Sequence, residues 1–161
     1  MDWDKAKILL IEGDKLWDKL HELNEKYGGQ QYLDGGASWS LMRTLISSSE
    51  TDAAGFGEGT FCKDYSKYLR ESVKCVKESQ NTIRKNMREK TWEEHLPEEL
   101  KTLEKEEVIR RCAEDFDSLL NEYESLLTEV KNLKKEPNHI ILQKKEVIHC
   151  DNKFISFRLI V

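Results

Sequence analysis

The chain has 161 residues with 31 acidic against 26 basic side chains, a net charge of −5, and the two signs are mixed along its length. That mixing argues against attachment to nucleic acid or an anionic membrane through an overall field. Charged residues make up 35% and apolar ones 38%, with two prolines, a balance that fits long helices better than a dense globule.

The start, Met1-Asp2-Trp3-Asp4, is acidic where a secretory or mitochondrial presequence is basic, and the apolar run Ile8–Ile11 is too short for a signal core or a membrane span. The expectation is an intracellular protein, cytoplasmic or nuclear, without a membrane anchor. From Asp2 to Tyr27 the apolar residues Trp3, Ala6, Leu9, Leu10, Leu16, Trp17, Leu20, Leu23 and Tyr27 recur at helical spacing, and Gly28-Gly29 supplies a stop. Gly13 inside this helix costs about 1 kcal/mol relative to alanine and marks a kink or a close helix contact.

After the turn-rich stretch Gly28–Gly36, a short helix is expected over 38–47, with Trp39, Leu41, Met42, Leu45 and Ile46 on its apolar side. Residues 47–59, SSSETDAAGFGEG, read as a flexible linker. The glycines at 55, 57 and 59 satisfy neither the P-loop nor the dinucleotide fingerprint, because no strand precedes them and no lysine follows in place.

A second long helix is predicted over 60–90. Its seam runs Cys62, Ser66, Leu69, Val73, Val76, Gln80, Ile83, Met87 in alternating steps of four and three. Ser66 and Gln80 interrupt the seam; the expectation is that both are half-exposed, the alternative being that they fix register. Arg84, Lys85, Arg88 and Lys90 gather at the helix end, where the helix dipole favours cations without any phosphate partner. Thr91-Trp92-Glu93-Glu94 has the form of a capping box, and Leu96-Pro97 makes a corner.

The most specific pattern follows, in a helix predicted over 98–135. Taking Ile109 as the first seam position, the series Ile109, Cys112, Phe116, Leu119, Tyr123, Leu126, Val130, Leu133 alternates steps of three and four throughout. Leu120 and Leu127 widen the stripe, which favours a bundle helix over a bare two-stranded zipper. Because the corner between the two long helices is short, they are expected to fold back as an antiparallel hairpin. Beyond Pro137, residues 140–142, 147–148 and 154–161 are β-prone, so a small C-terminal hairpin is expected over 138–161.

Catalytic and metal-binding patterns are not met. His21, His95, His139 and His149 lack partners at ligand spacing, and His149-Cys150 would face opposite sides of a strand. Cys62, Cys75, Cys112 and Cys150 form no CxxC pair and read as reduced, buried thiols. The fold class expected is therefore mainly α: an N-terminal helical segment (1–46), a linker (47–59), a helical hairpin or coiled coil (60–135) and the β-prone tail. The function expected is a non-enzymatic scaffold or adaptor subunit, binding other helical proteins or itself through the seams, with no cofactor and no small-molecule substrate. Coiled coils followed by small β-rich caps occur in kinetochore, spindle and vesicle-tethering subunits, and the layout is compatible with that group by architecture. The rivals are an enzyme with a site assembled from distant residues and a soluble helical-bundle ligand or effector.

Overall fold

A computed structural model of the chain describes residues 2–29 and 58–133. Among these residues the chain is mainly helical and contains no strand: α1 spans Trp3–Tyr27, α2 Glu58–Asn86, a 3-10 turn Trp92–His95, a short α3 Glu98–Lys101, and α4 Lys105–Leu133. At 1.5 Å per residue the two longest helices are each about 43 Å long.

The first helix is capped at both ends by local chemistry. Asp2 is in an extended conformation and its Oδ1 accepts the backbone N–H groups of Asp4 and Lys5, both at 3.1 Å. Gly28 ends the helix in the left-handed region (φ 67°), where a side chain is strained, and its N–H returns to the Asn24 carbonyl. A Cβ on Gly29 would collide with the Asn24 side chain, so a larger residue there displaces the buried Asn24 carboxamide.

The side-chain bonds fix how the helices run. Tyr65 Oη donates to the Leu9 carbonyl (2.5 Å), Asn24 Nδ2 to Ser79 Oγ (3.2 Å) and Asn86 Nδ2 to the Gly28 carbonyl (2.9 Å), so contacts climb α1 and α2 together and the two are parallel. Lys19 pairs with Glu122 and Lys26 with Asp115, which runs α4 antiparallel to α1. Gln80 reaches Asp117, while Tyr68 lies beside Tyr123, so α4 is antiparallel to α2 as well. The three helices enclose one core in which Leu9, Leu20, Tyr65, Leu69, Val76, Ile83, Phe116, Leu119, Tyr123 and Val130 are buried. The bundle that the apolar stripes predict is present, and α1 belongs to the same core as the other two helices. Gly13 is buried within it.

Four expectations change. The helix predicted over 98–135 is broken at 102–104: the Leu103 N–H turns back to the Leu100 carbonyl (3.1 Å), and the Glu104 carbonyl starts α4 by accepting from Glu107 (3.0 Å) and Val108 (3.1 Å). The break lets Leu96 and Leu100 bury themselves under the corner, which no straight helix from Glu98 allows. The capping box is not made, because Thr91 already has helical dihedrals (φ −84°, ψ −7°) and its side chain makes no cap bond. Ser66 and Gln80 are buried, 7% and 8% exposed, and not half-exposed; Gln80 Nε2 spends its donor on Asp117 Oδ1 at 3.4 Å. Finally, Glu58 and Gly59 are in the first turn of α2 and not in a linker. The rest of that linker, the short helix over 38–47, Cys150 and the β-prone tail lie outside the described residues.

Candidate functional site

The predicted seam residues Leu69, Val76, Gln80, Ile83, Cys112, Phe116, Leu119, Tyr123, Leu126, Val130 and Leu133 are all buried, and Val73 and Met87 pack against them half-buried. They come together, but on one another and on α1. Ile109 does not join them: it is 39% exposed, and its neighbour Val108, 2% exposed, occupies the core. A straight α-helix drifts about 20° per heptad against a 3.5-residue repeat, so at the N-terminal end of α4 the stripe steps back four residues from Cys112 instead of three.

Polar groups in this core are few and strongly biased by burial. The Tyr65 hydroxyl is paired with Leu9, but those of Tyr68 and Tyr123 and the Oδ1 of Asn24 meet no partner at hydrogen-bond geometry; Ser72, whose hydroxyl donates to the Tyr68 carbonyl, lies beside both phenols. Burial pushes the Tyr68 phenol up to about 12 and raises Tyr27, Tyr65 and Tyr123 further. Burial, with the Asp115 charge nearby, pushes the Cys112 thiol up to about 12, so it stays protonated and unreactive. Cys62 and Cys112 are buried, as their seam positions predict, and Cys75 is half-buried. Among the described residues no group of three or more His, Cys, Asp and Glu side chains is placed to hold a metal, and no helix is long and apolar enough to cross a membrane.

The lower end of the bundle is where local geometry produces a concave surface. Trp92 is anchored from behind: its indole Nε1 donates to the Tyr27 carbonyl at 3.0 Å, and its ring lies 3.6 Å from where a Gly28 Cβ would stand. Tyr27 in turn donates through its hydroxyl to Asp115 Oδ2 (2.7 Å), which also takes Lys26 Nζ (2.9 Å). Burial works to raise the Asp115 carboxyl, but those two bonds and the Lys26 charge outweigh it and hold the group below its usual range. With the indole fixed in this way, the break at 102–104 opens a cavity of about 570 Å³ between the corner and the start of α4. Its floor is apolar, formed by Trp92, Leu96, Leu100, Leu103 and Val108.

The rim of this cavity is charged. Lys105 sits 5.9 Å from the centre of the Trp92 ring and 3.3 Å from Glu93, Lys101 is paired with Glu98 at 2.7 Å, and Glu94 and Glu104 complete the edge. The two lysines of the rim pair with Glu93 and Glu98. The cavity is not visible in the sequence, since Leu96, Leu100 and Leu103 become neighbours of Val108 only through the helix break. A shallower hollow of about 340 Å³ lies between α1 and α4 beside Leu16 and Leu126, and Ile8 and Ile11, exposed 55% and 53%, stand near it on α1.

Comparison with protein-family models, with curated proteins and with solved structures finds no match to this chain.

Proposed function

We propose that this chain is a non-enzymatic scaffold or adaptor subunit of an intracellular multiprotein assembly, in the cytoplasm or nucleus. The heptad seams of α2 and α4 hold its own helices in register as a coiled-coil-like antiparallel pair with α1 laid along it, and partner chains engage the surfaces that the seams leave open. The corner cavity carries this reading. An apolar floor of fixed side chains behind a self-paired charged rim is the anatomy of a protein–protein hot spot, where a partner's large apolar side chain is received and water excluded. Catalysis calls instead for polar groups aimed at a reacting centre, and the rim pairs of Lys105 with Glu93 and Lys101 with Glu98 are directed at each other. Kinetochore, spindle and tethering subunits share this use of long helices, a likeness of architecture only.

The test is quantitative affinity purification with the full chain and with Leu103→Glu, which places a carboxylate in the cavity at a half-buried position. The expected result is a partner recovered in constant ratio to the wild-type chain and lost from the variant at unchanged helicity. Recovery of the same partners by both proteins would remove the cavity from the account; a small molecule converted by the purified chain would replace the scaffold reading with the enzyme.

A further inference from the structure

The outward face of α2 carries a feature independent of the corner cavity. Lys63, Lys67, Arg70, Lys74, Lys77 and Arg84 follow one another in steps of four, three, four, three and seven, and all six are exposed. Steps of three and four place side chains in one row along the helix axis, so the row extends for about 32 Å. Lys74 pairs with Glu71 at 2.9 Å; among the described residues no other ion pair engages the row. By contrast the cations of α1 and α4 are widely paired: Lys19 with Glu122, Lys26 with Asp115, Arg110 and Arg111 with Glu107.

The net charge of the chain conceals this. Within α2 seven Lys and Arg face four Asp and Glu, whereas α4 has four against eight. The row is also narrow. Glu71 and Glu78 border it along α2, and on the other side Asp117, which Gln80 touches, projects from α4. A broad anionic surface, such as a membrane or a nucleic-acid duplex, would meet these carboxylates as soon as it met the lysines. Single-stranded nucleic acid is narrow enough but binds by stacking its bases on aromatic rings, and Phe61, Tyr65 and Tyr68 are all buried in the core.

We infer that the row is a docking surface for an acidic helix of a partner protein, one whose Asp and Glu residues recur at alternating steps of three and four. Such a helix laid along α2 meets a cation at each of its carboxylates, because the two spacings are the same. Each exposed pair contributes little alone, so what the row supplies is attraction at a distance and a fixed register. The cations flank the seam of α2, the position from which charges select helix partners in coiled coils.

The experiment uses the full chain and a fluorescent synthetic helix carrying glutamate at alternating three- and four-residue steps on an alanine and glutamine background. A scrambled peptide of the same composition, phosphatidylserine-containing vesicles and a thymidine oligonucleotide are run beside it. The expected result is salt-dependent binding of the repeat peptide, about tenfold tighter than the scrambled one, and a loss of about tenfold or more for Lys67→Glu with Lys77→Glu. Should that pair disturb folding by circular dichroism, Lys67→Gln with Lys77→Gln carries the same test. Equal binding of the scrambled peptide, or tighter binding of vesicles or oligonucleotide, would overturn the inference. So would sedimentation showing a dimer of the chain that the reversals dissociate, which would assign the row to a second copy.

Discussion

The indole of Trp92 donates to the backbone carbonyl of Tyr27 at 3.0 Å, joining the end of the first helix to the corner that precedes the last one. Both residues are buried, so this single bond satisfies a helix-end carbonyl that water cannot reach. Trp92→Phe keeps much of the packing but leaves that carbonyl without its donor, and is expected to cost about 1–3 kcal/mol in urea denaturation. Gly28→Ala, strained at positive φ, is expected to cost about 1 kcal/mol. No loss in either variant would show that the corner is not tied to α1.

Two of the buried phenols differ from a third in what they touch. Tyr65→Phe deletes the bond to the Leu9 carbonyl and is expected to destabilise by about 1 kcal/mol or more, whereas Tyr123→Phe removes a hydroxyl that has Ser72 beside it but makes no bond at hydrogen-bond geometry, and is expected to cost less or be neutral. Urea midpoints of the two variants check the contrast, and a large loss for Tyr123→Phe would mean that its hydroxyl has a partner.

Opposite shifts act on stability at the two ends of the pH scale. The phenols of Tyr27, Tyr65, Tyr68 and Tyr123 are raised above the ordinary 10.0, chiefly by burial, so their neutral forms are favoured in the folded state. Their stabilisation is complete below pH 10.0 and is lost as pH rises beyond it, so tyrosinate absorbance and loss of helicity are expected to appear together. At the acid end, hydrogen bonds from Arg110 and Arg111 hold Glu107 down at about 2 from 4.5, and Asp115 is lowered from 3.8. Their contribution is present above these ordinary values and falls away as pH drops through the lowered ones. It is modest, because Glu107 and its two arginine partners are open to solvent and salt screens their pairs. Tyrosinate from more than one of the five tyrosines appearing at pH 10 while the helices remain intact would contradict the burial assigned to these four phenols, Tyr32 lying outside the described residues.

The register of α4 is open to a direct contrast between neighbours. Val108→Asp places a carboxylate at a position 2% exposed and is expected to cost several kcal/mol, on the order of 3–5, while Ile109→Asp, at 39%, is expected to stay within about 1. Leu119→Asp belongs with the first and charge reversal at exposed Glu124 with the second. Thermal melts of the four variants decide it, and equal losses at Val108 and Ile109 would restore the register that the unbroken three–four alternation predicts.

That ambiguity shows where the sequence is informative. Phe116, Leu119, Tyr123 and Leu126 are legible as core because each is the large apolar residue at its step of the repeat, and their burial follows from helical periodicity. Val108 and Ile109 are adjacent, both apolar and both β-branched, so residue type does not choose between them; the drift of a straight helix against the 3.5-residue repeat does. The stripe of α1 is equally plain, yet periodicity says that a face is covered without saying by what; contacts such as Asn24 with Ser79 assign it to the same core. The cavity is illegible for a different reason. It depends on the bond from Trp92 to Tyr27 and on the break at 102–104, and both result from distant packing that overrides the helix-forming character of residues 98–107. The cationic row on α2 is written in the sequence, but the overall charge of −5 averages it away.

The central claim is that the seams of α2 and α4 close within one chain and on α1. The unfolding midpoint, followed by circular dichroism over about a hundredfold range of protein concentration, tests it most directly, because a core shared between chains gains stability by mass action and an intrachain core does not. An intrachain core gives a midpoint independent of concentration. A midpoint that rises steadily with concentration would place the seams between chains and contradict it.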